Sequence, residues 1–460
     1  MTRPLWTSEE IAAATGGREN AAFEVRGVSI DSRSVEAGDL FVALAGGRDG
    51  HEFVAGALAQ GAAGSLTSRP VDGPKVTVEN VFKALEKIGI EARIRASDAR
   101  RGAVTGSVGK TSVTRAVEAG LRLAGRAHAS VKSYNNHIGV PLTLARMPAE
   151  TQRAVFEIGM NHAREIGPLA QMVRPHVVAI TTVGPVHIEN FLDGEVGVAK
   201  AKAEIFEGLE PGGVAVLNAD DFCFPMLRQA ALAVGASVHS FGAAPDAYAR
   251  LIGFQADENG ATVEAVIGGQ PLLYRLLQSG AHWGPNSLCV LLMLEALDVD
   301  RATALTALAN FTPLEGRGAE RKIALAEGAF TLIDESYNAN PISMAAALRS
   351  LGARSVPGRR VVAMTDMLEL GRDGAKFHAA LAEPIADANV DSVFCAGPLM
   401  ANLWEALPLN RRGGYARTAE ELALLVVGAV RPGDAIMVKG SNGSSAGLIA
   451  TALAASGGGV

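Results

Sequence analysis

Apolar residues recur along this chain in two rhythms. From Ala103 onward, short and mainly apolar runs, clearest at residues 154–158, 177–180 and 214–217, alternate with longer stretches whose apolar positions fall three or four apart. An unbroken apolar run of four or five residues suits a strand buried on both faces, and the intervening period is that of amphipathic helices. The alternation therefore predicts a parallel sheet flanked by helices. Near residues 250–275 the rhythm breaks, and Asp257-Glu258-Asn259-Gly260 reads as a hairpin turn between alternating strands, which predicts a small antiparallel addition. Beyond Leu314 a second alternation starts, with strands expected at residues 330–333, 361–364, 393–395 and 435–438, each followed by a loop and a helix. This predicts a second α/β domain.

The first hundred residues mix short elements. Thr7-Ser8-Glu9-Glu10 has the capping-box pattern that opens a helix, Asp31-Ser32-Arg33 reads as a turn before a buried strand at 39–44, and residues 80–100 read as a polar, helical connector. The expected units are 1–98, 99–313 and 314–460, in keeping with the about three domains that 460 residues allow. The glycines at 457–459 predict a frayed tail.

Composition narrows the function classes. With 48% hydrophobic residues the chain can bury substantial cores. Cys223, Cys289 and Cys395 lie far apart with no metal-ligand spacing, so neither a disulfide framework nor a zinc site is expected. Against 42 Lys and Arg stand 48 Asp and Glu, a net charge of -6 without a basic run, which argues against nucleic acid as a partner. Residues 1–17 lack the long apolar run of a signal peptide, and no segment reaches the ~18 apolar residues of a membrane span. A cytoplasmic protein is expected.

The strongest local signal is Thr105-Gly106-Ser107-Val108-Gly109-Lys110-Thr111-Ser112, running from an apparent strand into a helix-compatible stretch. Glycines let backbone N–H groups curl around phosphate oxygens, the helix N-terminus adds partial positive charge, Lys110 neutralises β and γ phosphates, and Thr111 can ligate Mg²⁺. The position five before Gly109 is Val104, so the strict G-x-x-x-x-G-K-[ST] form is not met. The bland alternative is an ordinary Gly-rich strand-to-helix turn.

This loop resembles the nucleotide loop of the Mur ligases, which has the form TGxxGKT. The similarity continues in order through Asn135-Asn136-His137-Ile138-Gly139, Glu157-Ile158-Gly159-Met160-Asn161-His162, Val186-His187-Ile188-Glu189, Ala201-Lys202-Ala203-Glu204 and Leu217-Asn218-Ala219-Asp220-Asp221. In the last third, Asp334-Glu335-Ser336-Tyr337-Asn338-Ala339-Asn340-Pro341 and Asp366-Met367-Leu368-Glu369-Leu370-Gly371 are similar to the branch of that family that adds D-alanyl-D-alanine. Two positions depart from the family pattern: Thr182 stands where Asn is frequent, and Ala203 where Gly is.

The resemblance implies a small α/β N-terminal domain for a UDP-linked muramoyl substrate, a central parallel-sheet P-loop ATPase domain and a Rossmann-like C-terminal domain. It implies phosphorylation by ATP of the terminal carboxylate of UDP-N-acetylmuramoyl-tripeptide, then attack by the amine of D-alanyl-D-alanine on the acyl phosphate. Two Mg²⁺ ions are implied, with Thr111, Glu157, His187 and Lys202 as metal-site residues and Lys110 beside them. Glu157 and His187 follow apolar strands and would emerge at the carboxyl edge of a parallel sheet; their bland readings are a helix-capping carboxylate and a hydrogen-bonded loop histidine.

Lys202 is the most informative single residue. If residues 195–209 form a helix, Lys202 shares a face with Val198, Ile205, Phe206 and Leu209, whereas Lys200 shares one with Val196, Glu204 and Glu207. A bare ammonium among apolar side chains must be paired, neutralised or modified. The resemblance implies carboxylation of the Lys202 Nζ by CO₂; the alternative is a lysine whose stem packs while its head reaches water.

By the same resemblance Asn286, Arg317, Asp334 and Tyr337 are expected at the nucleotide, and Asn135, Asn136, Asn338 and Asn340 at substrate. Ser32, Arg33, Asp49 and His51 are expected at the uridine nucleotide, with turns and surface loops as the competing explanation. His378 and Lys439-Gly440-Ser441 are candidates for the acceptor region or for solvated surface. A monomer that closes its third domain over the second is expected. The rivals are a same-family ligase with a different acceptor, a P-loop switch NTPase, and a nucleotide-binding scaffold without turnover.

Overall fold

The computed structural model describes residues 3–131, 133–186, 188–257 and 259–457. The chain forms three principal sheets. Near the N-terminus a five-stranded sheet runs Arg18–Glu19, Lys75–Thr77, Gly64–Thr67, Asp39–Val42, Gly27–Ser29, and a two-stranded ribbon pairs Trp6–Thr7 with Glu24–Val25. The expected capping box is present: Glu10 N donates to Thr7 Oγ1 at 3.1 Å, and Thr7 N donates to Glu10 Oε2 at 2.9 Å.

The central sheet has nine strands in the order Gln270–Leu276, Gly260–Ile267, Ala249–Asp257, Ser237–Gly242, Val214–Asn218, Val177–Ile180, Arg100–Thr105, Arg153–Glu157, Ala127–Ala129. Its last six strands are mutually parallel and the Ala249–Ile267 pair and its neighbour antiparallel, as the change of rhythm predicts. Within the expected hairpin turn Glu258 lies outside the described residues. Strand Arg100–Thr105, carrying the phosphate loop at its end, sits between Val177–Ile180 and Arg153–Glu157. The carboxyl ends of these three strands therefore meet at one edge, where an open parallel sheet places its ligands.

The third sheet runs Ala319–Ala324, Ala329–Glu335, Ala435–Lys439, Arg360–Thr365, Ser392–Ala396, Arg412–Ala416. Only its first strand is antiparallel, an edge strand that the apolar pattern did not reveal because it reads Ala-Glu-Arg-Lys-Ile-Ala with one buried side chain. The final helix, Ala446–Ala455, ends before the glycine tail, whose residues 458–459 lie outside the described ones.

One expectation needs correction. The connector is a helix as expected, Val81–Arg95 capped by Asn80, but one of its faces is apolar and buried. Val81, Ala84, Leu85, Ile88 and Ala92 join one apolar core with Trp6 and Ile11 from the N-terminal region and with Leu142 and Ala145 from the helix Gly139–Ala145. Gly89 allows the close approach: a Cβ there would lie 2.9 Å from the Pro141 carbonyl oxygen. Trp6 adds a hydrogen bond from Nε1 to the Ala145 oxygen at 2.8 Å and is covered by the Arg95 guanidinium 3.3 Å from its ring centre. Trp6→Ala would remove this fully buried ring and strand the Ala145 carbonyl. A loss of about 3–5 kcal/mol is expected, read as a lower urea midpoint and faster amide exchange in residues 81–95.

Candidate active site

Strand Arg100–Thr105 ends in the turn 106–109, and helix Lys110–Ala124 starts directly after it. Gly106 has φ +149°, and a Cβ on it would meet Thr181 Oγ1 at 1.9 Å. Gly109, at φ +86°, turns the chain into the helix and lies against Asn286. The turn is braced from residues 181–184: Ser107 N donates to the Thr182 oxygen at 2.7 Å, Gly184 N donates to Ser107 Oγ at 3.0 Å, and Thr181 Oγ1 donates to the Val108 oxygen. Thr105 is buried in the strand beneath, while residues 107–112 line a cleft of about 420 Å³. The turn thus holds a helix N-terminus open to that cleft, an arrangement suited to phosphate.

Glu157 ends the neighbouring strand and is 2% exposed. Its carboxylate accepts from Thr111 Oγ1 and from Asn135 Nδ2, both at 2.7 Å. Lys110 turns its ammonium back onto the Gly106 carbonyl oxygen at 2.7 Å. Burial lowers the Lys110 pKa, Glu157 opposes that, and Arg317 reinforces it. His187, an expected metal ligand, lies outside the described residues.

Lys202 is on the last turn of helix Gly194–Ala203, which continues as a tighter turn over Glu204–Gly208. It is 3% exposed, together with the buried Val198, Ile205 and Phe206. Lys200, on the other face, reaches solvent and pairs with Asp193 at 2.6 Å. Among the described residues no hydrogen bond or ion pair engages the Lys202 ammonium, and burial, with Lys110 adding repulsion and Asp221 partly opposing, holds its pKa well below the ordinary range. Asp221 is spent on the loop, accepting from Val183 N and, at 3.3 Å, from Thr182 Oγ1.

The opposite wall comes from the last third of the chain: Arg317, Glu335, Tyr337, Asn338, Asn340 and Lys439. Arg317 lies over the Tyr337 ring, 4.0 Å from its centre, and the Tyr337 hydroxyl donates to Ser133 Oγ at 2.8 Å, crossing the cleft. Asp334 does not line the cleft. Its buried carboxylate accepts from Gly316 N at 3.2 Å and from Ser336 Oγ at 2.6 Å, tying the 314–318 loop to the 334–338 loop. Asn340 is 3% exposed and caps helix Pro341–Gly352 while bordering the cleft. Asn136 caps its own turn, accepting from Gly139 N at 2.9 Å, and only Asn135 of that pair faces the cleft.

Sequence reasoning missed Glu335, Thr181, Ser133 and His282, all of which line the cleft, as does Lys439. Glu335 and Lys439 are register partners at the ends of adjacent parallel strands, which a strand alignment could have revealed. Lys439 is buried, donating to the Asn338 oxygen at 2.9 Å, so it is not solvated surface. His378 is neither surface nor cleft: it is fully buried, with Nδ1 against the Gly374 oxygen at 2.6 Å and Nε2 accepting from Met367 N at 2.9 Å.

Ser32, Arg33, Asp49 and His51 lie away from the cleft. Arg33 is exposed and bonds to Asp31, while Asp49 accepts from His51 Nδ1 at 2.6 Å and from Arg69. His51 Nε2 accepts from Ser68 N at 3.0 Å.

The loop geometry generates one test. Gly106→Ala would force a methyl into Thr181 Oγ1 and a residue with a side chain into left-handed φ. ATP-analogue affinity measured by calorimetry should fall by at least about tenfold; unchanged affinity would remove Gly106 from any phosphate-holding role.

Three family models match: Mur ligase family, catalytic domain over residues 24–129; Mur ligase middle domain over 104–294; and Mur ligase, glutamate ligase domain over 322–442. The chain is 31% identical over 448 residues to the UDP-N-acetylmuramoyl-tripeptide--D-alanyl-D-alanine ligase of Rickettsia prowazekii, covering 95% of this chain and 97% of the relative. It is 34% identical to the Escherichia coli protein of the same name over 83% of each chain. Among solved structures, MurF from Acinetobacter baumannii superposes with a TM-score of 0.85 at 27% identity over 98% of both chains. MurF from Thermotoga maritima in complex with ADP superposes with a TM-score of 0.78 at 22% identity over 94% of this chain and 98% of that one, a likeness of fold. With the phosphate turn seated at a parallel-sheet edge and relatives matching nearly end to end, this chain belongs to the Mur ligase family.

Proposed function

We propose that this chain is the ATP-dependent ligase that joins D-alanyl-D-alanine to UDP-N-acetylmuramoyl-tripeptide in peptidoglycan precursor synthesis. The observation that carries the reading is one cleft in which residues 107–112 and Glu157 face Arg317, Tyr337 and Asn338. The units 1–98, 99–313 and 314–460 are assigned to the UDP-muramoyl substrate, to ATP and to ligation respectively. Among the described residues no helix is long and apolar enough to cross a membrane, and we assign the chain to the cytoplasm as a monomer.

A carboxylate is a poor electrophile. Transfer of the γ-phosphoryl group of ATP to the tripeptide's terminal carboxylate breaks the β–γ bond and releases ADP. The neutral amine of D-alanyl-D-alanine then forms the C–N bond as inorganic phosphate leaves. In this reading Lys110 exchanges the Gly106 carbonyl for phosphate oxygens, and Asn286 meets the base. Arg317, held by Tyr337, adds a guanidinium that can grip phosphate bidentately. Asn338 borders the space for the incoming dipeptide, and Asn135 holds the Glu157 carboxylate. Asn136 and Asn340 act through the turns they cap. Ser32, Arg33, Asp49 and His51 are assigned to the uridine nucleotide.

The donor set suits Mg²⁺: Thr111 and Glu157 meet at 2.7 Å beside the phosphate turn, and the buried Lys202 ammonium lacks a counter-charge in contact. Thr111, Glu157, His187 and a carboxylated Lys202 would hold two ions, which supply charge neutralisation at the phosphates. A lysine whose pKa is depressed by burial has more neutral amine, the form that adds CO₂ and releases a proton. The carbamate so formed is an anion, which turns repulsion from Lys110 into attraction.

Two measurements test this. Phosphate release should require both UDP-muramoyl tripeptide and D-alanyl-D-alanine; release indifferent to both would instead favour a switch NTPase. Lys202→Ala should lose at least about a hundredfold in turnover, with partial recovery on adding short carboxylic acids. Full activity in that variant would remove Lys202 from the reaction.

A further inference from the structure

Behind the cleft, at the joint between the second and third units, lies a separate cavity of about 30 Å³. Among the described residues, two polar atoms on its lining have no partner, one from each side of the joint. Gln278, just after strand Gln270–Leu276, is 3% exposed and donates from Nε2 to the Phe311 oxygen at 2.6 Å. That bond fixes the amide, because flipping it would set oxygen against oxygen, so Oε1 is left as an unpaired acceptor. Ser350, in helix Pro341–Gly352, has a buried hydroxyl that is likewise unpaired.

Next to them Arg354, Glu320 and Ser279 close a polar chain across the same joint: Arg354 Nη2 donates to Ser279 Oγ at 2.6 Å, and Ser279 Oγ donates to Glu320 Oε1 at 2.9 Å. Two carboxylates, Glu320 and Glu335, and two guanidiniums, Arg317 and Arg354, line the space, so its ionic charges cancel. A neutral ligand with both donor and acceptor capacity fits such a lining, and a cation does not. Small polar voids with unpaired buried groups hold water, each molecule needing roughly 10–15 Å³ of such space and two to four polar partners.

We propose that this cavity is a built hydration site in which one or two ordered waters bridge Gln278 Oε1 to Ser350 Oγ. The water completes the polar seat on which the third unit meets the second. The cavity shares Arg317 and Glu335 with the cleft wall, but Gln278 and Ser350, the two groups bridged, do not line the cleft.

High-resolution crystals of the full chain with ADP test it directly. Full-occupancy water within about 3.2 Å of both atoms is the expected result. An empty cavity, a direct Gln278–Ser350 contact, or an anomalous peak there after soaking in thallium(I) would overturn it. In solution, Gln278→Met and Ser350→Ala should each lower the melting temperature by a few degrees, with the double variant losing clearly less than the sum, because both act on the same bridge. Strictly additive losses would show that no shared water links them.

Discussion

Crowding of positive charge in a space largely withdrawn from water is the constraint on which this structure turns. Lys110, Arg317 and Lys439 line one cleft, the buried Lys202 lies near enough to be repelled by Lys110, and burial disfavours the charged form of all three lysines. Against them stand Glu157, Asp221 and Glu335, of which Glu157 is engaged by Thr111 and Asn135 and Asp221 by the 182–183 backbone and hydroxyl. The Lys110 head meets a carbonyl dipole. A polyanion such as a nucleoside triphosphate would offset that imbalance.

Much of the architecture was legible in the chain because burial on two faces leaves a plain mark. The central strands at 153–157, 177–180 and 214–218 and the later ones at 329–335, 360–365, 392–396 and 435–439 fall where apolar runs predict them. The edge strand Ala319–Ala324 escaped because one buried side chain in six carries almost no pattern. Helix Val81–Arg95 was expected as a helix, but its buried face escaped notice because the apolar stripe is diluted by Lys and Glu on the outer face, and the partner for that stripe lies partly more than fifty residues away, at Leu142 and Ala145.

At the site, helical periodicity separated Lys202 from Lys200, since two residues on a helix lie far apart in angle. It could not choose between Asp334 and Glu335. Successive residues of a strand face opposite ways, and which of the two meets the cleft depends on how Ala329–Glu335 lies against Ala435–Lys439, a fact of tertiary register. His378 shows the same limit: a histidine in a polar-looking stretch is indistinguishable from a buried brace until Met367 and Gly374 are seen around it.

The Asp334 carboxylate, by fastening Gly316 and Ser336 together, makes Arg317 part of the third unit although it sits near the joint. The guanidinium therefore belongs to that unit, whereas the glycine turn is anchored to the second. Under the proposed function, a nucleotide held by the turn alone and one also reached by Arg317 would be two bound states, interconverted by movement of the third unit. Apparent affinity is then a population average over those states, and anything that biases the joint changes nucleotide retention without touching a single atom that contacts it.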